Sequence, residues 1–167
     1  MTRVRPGWPS ATRLTVLVAD GEPDAADRLA VLLRLSGHRA RVARGGAEAT
    51  QLAEEYWPDV FILDPASIGV AGLELAYRLR LSHPGRSLVI VVSGRDSDDG
   101  RRRARKAGAD LYLVKPVLPD LLIHVLDRFW ETIHQPTSPG TDGSPRVPPG
   151  RDVPPITSRN GLPFPSG

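Results

Sequence analysis

The chain has 167 residues and no cysteine, which excludes disulfides, thiolate zinc sites and thiol nucleophiles together. Its formal charge is +3, but residues 12–135 hold 15 Arg and 2 Lys against 17 Asp and Glu, so the excess lies in the two ends and composition makes no electrostatic case for a nucleic-acid partner. No apolar run approaches the roughly 18 residues of a membrane span, and residues 1–13 lack the apolar stretch of a secretory signal; the expectation is a cytoplasmic chain with no membrane partner.

Nine of the 17 prolines and five of the 16 glycines lie in Pro136–Gly167, where few large apolar side chains remain to offset the ordering of the backbone. The expected organisation is a flexible N-terminal arm over 1–13, one domain over 14–134 and a Pro/Gly-rich disordered tail over 135–167. A domain of roughly 120 residues is long enough for a real core, and the length leads us to expect a stand-alone module with no second folded output domain.

Apolar runs and helical patterns alternate along the domain. Leu14-Thr15-Val16-Leu17-Val18-Ala19 lacks polar alternation, as a strand covered on both faces does. Pro23, among Glu22, Asp24 and Asp27, fits a first helical turn. Leu29, Leu32 and Leu33 form the buried stripe of that helix, and Gly37 suits the position just past its end. Arg39–Ala43 is a short second strand suited to a sheet edge. Ala49, Leu52, Ala53 and Tyr56 mark one helix face; Pro58 ends it, and Asp59–Leu63 is the third strand. Gly72, Leu75, Ala76 and Leu79 repeat the helical spacing up to the break at His83-Pro84-Gly85. Ser87–Val92 is the most apolar strand. A polar helix over 97–107 stops at Gly108, Leu111–Val114 is the fifth strand, and Pro119 opens a last helix carrying Leu122, Val125, Leu126, Phe129 and Ile133 on one side.

Five β-α units in strict alternation predict an α/β fold with a parallel sheet and helices on both faces, because parallel neighbours need long, right-handed crossovers. Eight such units could close a barrel and five cannot, which leaves an open, doubly wound sheet. Ligands of such sheets bind beyond the carboxyl ends of the strands. Those ends carry Asp20, Asp64, Ser93 and Lys115. Each has a bland reading as a cap or turn residue, weakest for Asp64, behind which no helix starts at once, and for Lys115, one of two lysines against 20 arginines. Together they have a chemistry. Converging carboxylates attract a hard divalent cation, and one of them can act as a nucleophile toward phosphorus. A hydroxyl and a compact ammonium would hold the transferred oxygens. His38, His83, His124 and His134 show no ligand spacing. Arg101-Arg102-Arg103, Arg105 and Lys106 read as a solvated helix face behind Asp96, Asp98 and Asp99.

Leu17-Val18-Ala19-Asp20-Gly21-Glu22-Pro23-Asp24, Pro58-Asp59-Val60-Phe61-Ile62-Leu63-Asp64 and Gly108-Ala109-Asp110-Leu111-Tyr112-Leu113-Val114-Lys115-Pro116 together resemble the response-regulator receiver domain of two-component signalling. The resemblance implies a flavodoxin-like strand order 2-1-3-4-5, with Asp64 as the phosphoacceptor supplied by a histidine kinase or phosphotransfer protein. It implies that Ser93 is the switching hydroxyl, Lys115 the ion-pairing lysine joined to Pro116 by a cis bond, and Tyr112 the switch aromatic. The output surface would be the face of the fourth helix, fifth strand and fifth helix, and the chain would be no enzyme beyond its own phosphorylation and dephosphorylation. Magnesium would be held by Asp20, Asp64 and the backbone carbonyl of Ala66, with Glu22 a further candidate. Gly21 stands where such domains usually carry a second acid, so weak magnesium binding is expected. The loop after Asp64 also departs from the usual pattern: Pro65 follows at once, Ile68 stands where a proline is usual, and Ala71 replaces a common Asp. These departures motivate an alternative, a phosphorylation-independent pseudo-receiver acting as a protein–protein interaction module.

Overall fold

Residues 13–69, 72–83 and 87–134 are described by a computed structural model. Residues 1–12 of the expected N-terminal arm (1–13) and the whole of the expected tail (135–167) lie outside the described residues. Five strands alternate with five helices: β1 Thr15–Ala19, α1 Pro23–Leu35, β2 Arg39–Ala43, α2 Gly46–Tyr56, β3 Val60–Leu63, α3 Gly72–Ser82, β4 Leu88–Ser93, α4 Asp98–Lys106, β5 Leu111–Val114 and α5 Pro119–His134. All four strand pairings are parallel, as the alternation of elements predicts, and the order is β2-β1-β3-β4-β5, as the resemblance implies. The bounds shift by a residue for local reasons. Asp59 borders β3 with its N–H on Thr15 O at 2.8 Å and its carbonyl accepting the Leu88 N–H at 2.9 Å, while its carboxylate accepts the Thr15 N–H at 2.8 Å; Ser87 precedes β4 with its hydroxyl on the Pro58 carbonyl at 3.0 Å.

The unbroken apolar strands are explained by two cores, one on each face of the sheet. Val16, Val18, Val60, Ile62, Ile90 and Val92 pack with Ala26, Ala30 and Leu33 of α1 and Leu122 and Leu126 of α5. Their neighbours Leu17, Ala19, Phe61, Leu63 and Val89 point the other way, to Ala49 and Ala53 of α2 and Leu75, Ala76 and Leu79 of α3. The period of two along each strand deals alternate residues to the two layers. Helices α1 and α4 end in the same way. Gly37 and Gly108, at φ +85° and +87°, turn the chain so that His38 N–H reaches Leu33 O and Ala109 N–H reaches Ala104 O, both at 3.0 Å, the closure that a left-handed residue past a helix end makes possible.

Helix α4 differs from the others. Ala104 is its buried residue, and its start rests on Ser97, whose hydroxyl accepts the Gly100 N–H at 3.1 Å. Ser97→Ala is expected to lower stability by about 1 kcal/mol in urea titration, and amide exchange should show the loss concentrated in α4. His38 supplies a pH dependence. Its ring is 3 % exposed and neither nitrogen has a hydrogen-bond partner among the described residues. Burial lowers its pKa from the usual 6.5, opposed by the charge of Asp127 and helped by that of Arg13. The unfolded chain therefore takes up a proton that the folded chain refuses; this contribution is intact above pH 6.5 and is lost as pH falls below it. The melting temperature of the wild type should fall more steeply between about pH 7 and pH 5 than that of His38→Leu.

Candidate functional site

Strand register decides what meets at the carboxyl end of the sheet. β1 and β3 pair Ala19 with Leu63, so the next residues, Asp20 and Asp64, emerge side by side. Asp64 N–H continues the ladder to Ala19 O at 2.9 Å, and Asp20 N–H bonds Ala43 O at 3.1 Å. On the far side β4 pairs Ser93 with Val114, and Lys115 N–H donates to Ser93 O at 2.8 Å. Lys115 thus leaves the sheet two strands away from Asp64, with neighbouring strands ~4.8 Å apart, and its four-carbon stem crosses the end of β4 to reach the acids. The Lys115–Pro116 bond that follows is cis.

Asp20 and Asp64 are each 7 % exposed, and buried carboxylates require partners. Lys115 Nζ lies 2.5 Å from Asp64 Oδ2 and 3.3 Å from Asp20 Oδ2. Burial alone would pull the Lys115 pKa down; the hydrogen bond and charge of Asp64, with Asp20 adding to them, outweigh it and hold the ammonium above its ordinary value. Asp64 Oδ1 accepts from Ala66 N–H at 2.9 Å and Ser67 N–H at 3.3 Å. Asp20 Oδ1 accepts from Glu22 N–H at 2.9 Å and from the Ser67 hydroxyl at 2.8 Å. All four carboxylate oxygens are met from within the chain, and both acids also make the local turn contacts that a bland reading of them expects.

Of the residues singled out in the sequence, Asp20, Asp64 and Lys115 come together. Ser93 stands on the same rim through its backbone, but its hydroxyl accepts the Arg95 N–H at 3.1 Å. The Tyr112 hydroxyl donates to the Arg95 carbonyl at 2.7 Å, and the Arg101 guanidinium lies 5.1 Å from its ring centroid. Ser93 and Tyr112 therefore meet at one loop residue, Arg95. Ala66 reaches Asp64 with its N–H. The side chain of Glu22 is exposed, and it is its backbone N–H that meets Asp20.

Ser67 is the residue that the sequence reading passed over. Its hydroxyl accepts the Gly21 N–H at 2.8 Å while donating to Asp20 Oδ1. A Cβ built at position 21 would stand 2.2 Å from the Ser67 carbonyl oxygen, so the β3–α3 loop lies directly against Gly21, in the space where a larger residue would project. This bears on magnesium. The third acid is missing, its place is taken by the Ser67 backbone, and among the described residues no group of three or more His, Asp or Glu is placed to hold a metal. As arranged, all four oxygens of the two remaining carboxylates are taken by Lys115, Ser67 and backbone N–H groups, so a divalent cation would have to displace some of these partners. A serine three residues beyond an acid and a lone small residue after β1 carry separate, weak signals in sequence; their complementarity is visible only in the fold.

A pocket of about 600 Å³ opens beside the acids, with Asp20, Asp64 and Lys115 at one end and Ala25, Leu29, Leu32, Val117 and Leu122 along an apolar flank between α1 and α5. Residues 16–127 match the response regulator receiver domain family. The chain is 40 % identical over 111 residues to the transcriptional regulatory protein PrrA of Mycobacterium tuberculosis, covering 66 % of this chain and 47 % of PrrA. It is 34 % identical over 103 residues to the probable transcriptional regulatory protein TcrX of the same organism, covering 62 % and 44 %; it thus spans less than half the length of either regulator. The receiver domain of the Francisella response regulator 1452 superposes with a TM-score of 0.65 at 29 % identity, over 72 % of this chain and 98 % of that one. With its strand order, its acid pair and its bridging lysine, the chain belongs to the response regulator receiver domain family.

Proposed function

We propose that this chain accepts a phosphoryl group on Asp64 from a histidine kinase or phosphotransfer protein and signals by docking to a downstream protein. Receiver domains are signalling modules of two-component systems and not enzymes in the ordinary sense. They interact with histidine kinases or phosphotransfer proteins and with downstream effectors, and they typically bind magnesium through acidic residues. The reading rests on one observation, the 2.5 Å contact between Lys115 Nζ and Asp64 Oδ2 in a pocket where Asp64 is 7 % exposed. Asp64 Oδ1 is oriented by two backbone N–H groups, which leaves Oδ2 as the attacking oxygen. An O–P bond forms there as the N–P bond to the donor histidine breaks, and the imidazole nitrogen keeps the electron pair. Lys115, already an ammonium, shifts from the carboxylate to the incoming phosphoryl oxygens and stabilises their charge where water is scarce.

The apolar flank between α1 and α5 gives a donor protein a surface beside Asp64. Ser93 would turn from Arg95 toward the phosphoryl group, and Tyr112, bonded to the same residue, would register the change on the face of α4, β5 and α5. No described helix is long and apolar enough to cross a membrane. A second reading, docking without phosphorylation, is favoured by the contact of Gly21 with the Ser67 backbone.

Acetyl phosphate, offered with and without excess magnesium, distinguishes the two. A single covalent phosphate seen by intact-mass spectrometry, absent from Asp64→Asn, is the expected result. No adduct, or one that survives Asp64→Asn, overturns the first reading. Lys115→Ala should reduce adduct formation at least about 100-fold, because the group that meets the transferred charge is gone.

A further inference from the structure

Asp20 and Asp64 would repel each other if left to themselves, and Lys115 neutralises one of their two charges. The remainder is met by neutral donors, chief among them Ser67, whose hydroxyl links Gly21 N–H to Asp20 Oδ1 while its N–H faces Asp64 Oδ1. The loop that carries Ser67 is wedged. Gly21 admits its carbonyl on one side, where a Cβ would come within 2.2 Å, and Gly72 admits Pro65 on the other, where a Cβ would stand 2.3 Å from Pro65 Cα. Ile68 N–H bonds Asp64 O at 3.2 Å and Gly72 N–H bonds Gly69 O at 3.0 Å, and Ile68 packs on the α2–α3 core. Small residues at 21 and 72 and a hydroxyl at 67 are matched parts of one packing arrangement.

We propose that Ser67 is a resident latch that keeps the acid pocket in a cation-free state, so that a divalent cation reaches Asp20 and Asp64 only when the β3–α3 loop gives way. The latch stands in for the absent acid of position 21: it supplies neutral hydrogen bonds where a third carboxylate would have demanded a cation. This rests on the reading of Asp20, Asp64 and Lys115 as the working pocket and is independent of whether phosphate is transferred there.

The test is calorimetric titration of the chain with Mg2+ and with Mn2+, with thermal melting in the same cations as a second readout. The wild type is expected to show no saturable binding at millimolar cation and no cation-dependent rise in melting temperature. Ser67→Ala removes the donor from Asp20 Oδ1 and should bind Mn2+ at least about tenfold more tightly, the factor that loss of one charge-assisted hydrogen bond to a competing group allows, and should gain stability with cation concentration. Should Ser67→Ala not fold, Ser67→Gly, which likewise lacks the hydroxyl and adds no metal ligand, should show the same change. Saturable wild-type binding at millimolar cation or below, or variants that bind no more tightly than the wild type, overturns the latch. The outcome is separable from the phosphorylation reading, since titration reads cation occupancy and mass reads the adduct on Asp64.

Discussion

The contact between the Lys115 ammonium and the two carboxylates is the constraint on which the carboxyl end of the sheet depends. Two acids at 7 % exposure on adjacent strands would be an expensive juxtaposition, and removing one partner of a buried ion pair commonly costs 3–5 kcal/mol, roughly, because a charge is left unmatched. Lys115 is itself one-third exposed, so part of that figure is screened here. What the ammonium provides beyond stability is alignment: it ties the ends of β1, β3 and β5 to one point, and anything that draws it toward a new anion changes the balance at all three.

That arrangement is possible because the strands beneath it ask nothing polar of their surroundings. Every residue of β1 and β3 is buried, and their side chains are divided between two independent apolar layers. Where side chains join the ladder they do so at the other end, as Asp59 does on the Thr15 N–H and Asp110 on the Val89 N–H, so at the carboxyl end of β1, β3 and β4 the polar chemistry begins at the residue after the last apolar one. A sheet built in this way can keep its fold while the groups at its edge change charge or partner.

The same logic explains which parts of the site are legible in the sequence. An Asp ending an apolar strand has only the sheet edge to occupy, and parallel register brings such residues together, so Asp20, Asp64 and Lys115 announce themselves through strand length and hydropathy. Helix ends were equally open to inspection at Gly37 and Gly108, where a left-handed residue closes the helix. Ser67 was not, because its meaning depends on Gly21, 46 residues away, and on a close approach of backbones that neither residue signals alone. The direction of the Ser93 hydroxyl, toward Arg95 and away from the acids, is likewise a matter of loop conformation and leaves no periodic trace.

Helix α4 shows what an element looks like when the apolar layers hardly reach it. It has one buried side chain, Ala104, and its exposed pairs, Arg101 with Asp96 and Arg102 and Arg103 with Asp99, contribute little against water. An element with so little apolar anchorage opens at a low free energy relative to the rest of the fold. Its five cationic side chains, Arg101, Arg102, Arg103, Arg105 and Lys106, therefore travel with any displacement near Arg95 that leaves both apolar layers as they are.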